Sequence, residues 1–415
     1  MPIDSINFLI EMHQETADEI FSAFKDDQDL DTVLEIEQEY LDLVDTFVKN
    51  ENMVSQILTY LNSDHDSDIN NQIALLGLSS ERDEHWQYVL NTLFPESLEY
   101  FNPIDFRWLL SRVPSSRQYE IIHFMTANPK RFYPRFSELE EFIFDNRIES
   151  LYSLFVKNDG ELVYPVNKRG YSILALQGKK EKLRELLRNE EDDFTQTYIA
   201  RWLMYAGDES ALDFLSQKPV FTEDLFNHAP KFCSLKRLPW LKDLLFVERD
   251  STLIYNINRL IPVGSTELIP LFFNLLSHNN PSVAENAHEA ITSFFPKDSD
   301  VWQNAEYLIR EQEFDQNEVI QFWRTIDQPA PNVRYFQGEV FDIRNILERN
   351  RTSPMRHNLS DLIFDISVWT GQQFAIDPCA PFEKQFQQYN EIEQWFEEND
   401  DQCLSNKWML YGQER

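Results

Sequence analysis

Along the start of the chain apolar side chains return every three or four positions. Ile6, Leu9, Ala17, Ile20, Phe21 and Phe24 fall on one face, with Asp4 or Ser5 placed to cap the first turn. The acidic run DDQDLD at 26–31 interrupts this pattern. A second amphipathic helix is predicted over about 30–48, aligning Leu30, Val33, Leu34, Tyr40, Leu41, Val44, Phe47 and Val48, and a third over Met53–Leu61. Short connections predict that these helices pair as antiparallel hairpins. The middle of the chain keeps the same grammar, with helical stretches separated by Pro, Asn, Asp and Ser. Extended structure is expected only in short pieces, 161–166 and Val333–Phe336. Two prolines within DQPAPN, 327–332, stop a helix from crossing and mark a linker there.

The segment ELIPLFFNLLSHNNPSVAENAHEAITSFF, Glu267–Phe295, reads as two helices joined by a tight turn. Small alanines at 287 and 290 allow close helix approach. The apolar steps Leu275, Val283, Ala287, Ala290 recur thirty residues earlier at Leu245, Leu253, Ile257, Leu260. They also fit Leu61, Ile69, Ile73, Leu76 and Leu347, Met355, Leu359, Leu362. A chain this rich in apolar residues matches such a template by chance about a dozen times. The tandem copies at constant offset are what indicate a repeat.

LIPLFFNLLSHNNPSVAENAHEAI resembles a HEAT or HEAT-like repeat, whose pattern has an apolar first helix, an Asp-containing turn, a Val-Arg pair and two spaced alanines. The likeness is clearest over 239–295. Asn279 stands where the family has its turn Asp and Ala284 where it has Arg, so the usual ladder of hydrogen bonds between repeats is expected to be weakened. The resemblance implies an all-α fold, an elongated and curved α-solenoid of stacked antiparallel helix pairs. On this reading residues 1–62 form acidic helical hairpins, 63–326 the HEAT-like repeats, and 327–415 a Pro-rich linker and a helical cap. Phe382, Phe386, Tyr389, Ile392, Trp395 and Phe396 would line the capping helix. The stretch from Arg334 through LSDLIFDISVWTGQQFAIDPCAPF resembles the end of bacterial HEAT-like proteins encoded beside type VI secretion and polymorphic-toxin genes. One ankyrin-like stretch, 167–187, lacks that family's Thr-Pro-Leu-His core.

Charge changes the picture at one end. The 415 residues carry a net charge of -34, and the first hundred alone hold 23 acids against 3 bases. Such a surface repels phosphate backbones and anionic lipid, which excludes nucleic acid as the expected partner, but it steers a basic protein at high rate. The residues expected to meet that partner are Asp26, Asp27, Asp29, Asp31, Glu35, Glu39, Asp42 and Asp45. Nine glycines disfavour nucleotide-binding loops and turn-rich β folds. The acidic first residues predict no cleaved secretory leader, and the longest apolar windows are half a bilayer span, so no membrane insertion is expected. Cys233, Cys379 and Cys403 are odd in number and far apart, which fits a reducing cytoplasm.

Each catalytic pattern breaks at a required position. Asp64, Asp66 and Asp68 begin a calcium loop, but Ile69 and Leu75 replace its glycine and bidentate glutamate. His288 and Glu289 begin an HExxH-like string that ends on Thr292. Gly170 and Gly178 before Lys179 and Lys180 have the wrong spacing for a phosphate loop. Arg107, Arg112, Arg117, Lys130, Arg131 and Arg135, interleaved with Trp108, Phe132 and Tyr133, form the one sustained basic stretch, expected to compensate acids of the same chain. The expectation is therefore a non-enzymatic protein-binding scaffold without cofactor or metal. The C-terminal resemblance adds an accessory, adaptor or immunity role in a bacterial secretion or toxin system. The alternative is a metal-assisted hydrolase using paired carboxylates on a helical scaffold.

Overall fold

Cap residues and apolar stripes set the helices. In a computed structural model the described residues are 113–399 apart from 133–134, 164–169, 217–228, 233–236, 311–313, 332, 337 and 352–358, together with 34–35, 38–39, 42, 83–88, 90–91, 106–107, 110–111, 409–410 and 413–414. They are predominantly α-helical and belong to two compact units. The first comprises 1–173, 349–362 and 375–393, and the second 174–348, 363–374 and 394–415.

The first unit contains α1 (Asp83–Tyr88), α2 (Ser115–Ala127), α3 (Pro129–Phe132) and α4 (Phe136–Asp145), followed by a 3-10 turn at Glu149–Leu154. Its core includes Ile121, Ile122 and Met125 from α2, and Phe136, Leu139, Phe142 and Ile143 from α4. Helix α4 is unusual in burying its acids too: Glu138, Glu140 and Asp145 join the apolar residues below the surface. A helix buried on nearly every side must give such groups partners. Glu140 accepts a hydrogen bond from Ser172, and Glu138 pairs with Arg135 at 3.4 Å. An isolated antiparallel bridge joins Val156 and Leu162, within reach of the predicted extended piece at 161–166.

Helix α5 (Tyr171–Leu176) is followed in the second unit by α6 (Lys180–Asn189), α7 (Asp193–Tyr205) and α8 (Ser210–Ser216). Leu183 and Leu187, one turn apart, are the buried stripe of α6, which packs on α7; Asp192 caps α7 by accepting from Thr195 N at 2.9 Å. The next helices are α9 (Leu238–Asp243), α10 (Asp250–Leu260), α11 (Ile269–Leu275), α12 (Pro281–Thr292), α13 (Asp300–Arg310) and α14 (Gln316–Thr325). Pairwise packing dominates: α12 packs against α10, α11, α13 and α14. Leu253, Ile257 and Leu260 of α10 and Val283, Ala287 and Ala290 of α12 are all buried, as the thirty-residue offset predicts.

The turns of these helices are joined as well. Asn280 caps α12 through its own side chain, which accepts from Ser282 N at 3.0 Å, and its Nδ2 donates to Asp250 Oδ2 at 2.7 Å, thirty residues away. Gln316 at the start of α14 donates to the His278 carbonyl at 2.6 Å. Asn280 thus ties the start of α12 to the start of α10. His288 of α12 is fully buried, its Nδ1 accepting from Trp323 Nε1 at 2.9 Å and its Nε2 lying 3.0 Å from the Ala305 carbonyl.

Two-residue strands β1 (Tyr335–Phe336) and β2 (Glu339–Val340) pair antiparallel, Tyr335 opposite Val340, where the sequence predicts extended chain; a second small hairpin joins β3 (Met409–Leu410) to β4 (Gln413–Glu414). Gly264, at φ +65°, lets the chain pass against Tyr335, whose carbonyl oxygen would lie 1.6 Å from an added Cβ. Arg334, buried beside it, donates to the carbonyls of Val263 and Lys231 and lies 4.1 Å over the Phe341 ring. Helices α15 (Ile343–Arg351), α16 (Leu359–Thr370) and α17 (Phe382–Glu398) follow. In α17 Gln385, Tyr389, Ile392 and Phe396 form the buried face, while Trp395 of the predicted aromatic stripe is half-buried.

Candidate functional site

Of the acidic residues expected to meet a partner, Glu35, Glu39 and Asp42 are helical and exposed, and their spacing puts them on one face of a helix. Gln38 donates to Asp42 at 2.9 Å. Asp26, Asp27, Asp29, Asp31 and Asp45 lie outside the described residues, as do the calcium-like Asp64, Asp66 and Asp68 and the repeat copy beginning at Leu61.

A dense cluster of interacting charges among the described residues of the first unit is one the sequence does not announce. Arg107 and Ser111 stand one helical turn apart, Asp145 and Asn146 end α4, and Asp377 opens the turn before α17. The Arg107 guanidinium collects three carboxylates: Nη2 meets Asp145 at 2.5 Å and Asp377 at 3.3 Å, and Nη1 meets Glu141 at 2.9 Å. Asp377 is fully buried and amply supplied with donors. Beside Arg107 it accepts from Ser111 Oγ at 2.8 Å, Asn146 Nδ2 at 2.8 Å and the Cys379 amide at 3.0 Å. Its own amide donates to Gln388 Oε1 at 3.1 Å, and Lys384 of α17 donates to Asn146 Oδ1.

Electrostatics follow from burial. For Arg107 loss of solvent works against the charge, but Asp145, Asp377, Cys379 and Glu141 outweigh it and hold the guanidinium above its ordinary value. For Asp145 burial is the largest cause and raises the carboxyl from 3.8 to about 7; Arg107 opposes the rise, while Asp377 and Glu141 add to it. Ser111 has its hydroxyl engaged, 2.8 Å from Asp377 and 2.9 Å from the Arg107 carbonyl. The arrangement therefore fastens chain segments together. It does not present an activated nucleophile.

Three residues of the basic stretch, Arg107, Arg117 and Arg135, are paired with acids of the first unit. Arg107 is accounted for above, Arg117 meets Asp83 at 2.7 Å and Glu120 at 2.9 Å while lying 5.0 Å over Trp86, and Arg135 pairs with Glu138. Arg112 lies outside the described residues. His288, the first residue of the HExxH-like string, is buried in hydrogen bonds, and burial lowers its pKa from the ordinary value. Among the described residues there is no group of His, Cys, Asp and Glu that could hold a metal ion, and no helix long and apolar enough to cross a membrane. Periodicity could not find the Arg107 cluster. The one usable signal was the helix FSELEEFIFD, whose apolar residues leave most of its acids no solvent face.

Comparison of the chain with protein-family models and with curated proteins finds no match.

Proposed function

We propose that this chain is a non-enzymatic, HEAT-like helical scaffold that binds a basic protein, its acidic N-terminal quarter steering the encounter. The observation that carries the reading is the tie between equivalent turns thirty residues apart, Asn280 to Asp250, with α12 packed on both α10 and α11. Helix pairs of this kind bury one face on their neighbours and leave another for a partner. Phe246, 71% exposed, and Tyr307, 52% exposed, are large apolar groups left in solvent within this helical region. The exposed row Glu35, Glu39 and Asp42 supports recruitment of a cation-rich surface. The resemblance of the C-terminal stretch to proteins encoded beside secretion and toxin genes supports an accessory, adaptor or immunity role.

The test is affinity purification from the native host at low and at high salt, with wild type beside the triple charge reversal Glu35→Lys, Glu39→Lys, Asp42→Lys. A partner that is basic, lost at high salt and lost in the reversal supports the proposal. Capture indifferent to ionic strength counts against electrostatic recruitment.

A further inference from the structure

The Arg107 cluster holds more negative than positive charge away from water. The side chains of Arg107, Asp145 and Asp377 are 10%, 10% and 0% exposed, and Glu141 adds a third carboxylate from a half-exposed rim. The groups facing Asp145 come from the described elements around it: Arg107 from the helical residues 106–107, Glu141 from α4 itself, and Asp377 and Cys379 from the turn before α17. From α17, Lys384 is occupied with Asn146, and Gln388 reaches the Asp145 main-chain carbonyl at 3.5 Å. Asp377 accepts from four donors. Asp145 has Arg107 as its side-chain donor, and shares that nitrogen with Asp377.

We propose that this cluster is a proton-operated clasp, in which a proton held on Asp145 lets residues 377–388 lock onto Arg107, Ser111 and 136–146, and loss of that proton loosens the lock. With Asp145 neutral, Arg107 and Asp377 remain a one-to-one pair, and Asp377 keeps its donors from Ser111, Asn146 and the Cys379 amide. With Asp145 ionised, two buried carboxylates compete for one guanidinium nitrogen, and mutual repulsion adds to the cost of burial.

The direction with pH follows. When the clasp opens, Asp145 returns to water and to its ordinary value of 3.8, while the closed form holds its proton up to about 7. The closed form binds more protons between those limits, so closure is strongest at the acid end and is lost progressively as pH rises toward about 7, then levels.

Hydrogen exchange with mass spectrometry on the full chain, corrected for intrinsic rates, tests this from about pH 5 to about pH 8. In wild type, protection of residues 377–388 is expected to fall by up to roughly tenfold per pH unit and then to flatten. The neutral isostere Asp145→Asn should abolish that slope, and Glu141→Gln, at an exposed position, should move the midpoint to lower pH. If Asp145→Asn does not fold, infrared difference spectra of wild type supply the second readout. A protonated-carboxyl stretch should vanish as pH rises through about 7, with its midpoint moved down in Glu141→Gln. A pH-independent protection in wild type, an unchanged slope in Asp145→Asn, or absence of the protonated band would overturn the clasp.

Discussion

Arg107 and Asp145 are bonded to each other, yet their removal should have unequal consequences. Truncating Arg107 to Ala leaves buried Asp377 without its counter-charge, and a loss of about 3–5 kcal/mol is expected in denaturant unfolding of the first unit. Asp145→Asn keeps the shape and removes a charge that burial already resists, so a cost of roughly 1 kcal/mol or less is expected near neutral pH. His288 in the second unit has the opposite pH sign. Burial lowers its folded pKa, so the unfolded chain takes up the extra proton; stability is fully present above the unfolded value near 6.5 and declines as pH falls below it. Replacing His288 by Gln should flatten that decline in the amide protection of 281–292. It should also cost about 1–3 kcal/mol, because the Trp323 indole N–H loses its acceptor. Neither role was legible from the string of residues. Histidine followed by glutamate suggests a metal ligand to a motif reader, whereas Trp323 and Ala305 decide its chemistry and stand far along the chain.

For elements, local order was written in the sequence and survived folding. Leu253, Ile257 and Leu260 and their counterparts Val283, Ala287 and Ala290 are buried because a helix repeats every 3.6 residues and the copies share one phase. Val333–Phe336 was legible as extended because prolines precede it and its apolar run is too short for a helix. The tie at Asn280 was not, since a turn residue's partner depends on how two helix pairs meet. Its chemistry now explains the residue: an amide can both cap α12 and donate to Asp250, whereas an aspartate there would set two carboxylates together. Asn280→Asp should therefore lose stability that Asp250→Asn restores, a coupling of about 0.5–3 kcal/mol in a double-mutant cycle. Ala287→Leu should overpack the contact between α12 and its neighbours, lowering the urea midpoint by an amount worth about 1–3 kcal/mol with the slope unchanged.

At the scale of the whole molecule, the net charge of -34 makes association with charged partners sensitive to ionic strength. Association with a basic partner should slow by about tenfold or more between low and high salt in stopped-flow mixing, with dissociation changing much less. Thermal melting with magnesium, zinc, calcium or EDTA tests the hydrolase alternative; unchanged melting is expected, and a shift of several degrees would favour a metal site. The helical class was readable from periodicity and from scarce glycine, but the Arg107 cluster was hidden because 71 acids make any carboxylate pairing uninformative before folding selects one. That cluster bears on biosynthesis. Arg107 leaves the ribosome long before Asp377, 270 residues later, so the first unit must wait with its links to Asp377 unmade while most of the second is translated. Early acids and bases then meet the exit-tunnel surroundings and chaperones as a half-finished domain until Asp377 emerges.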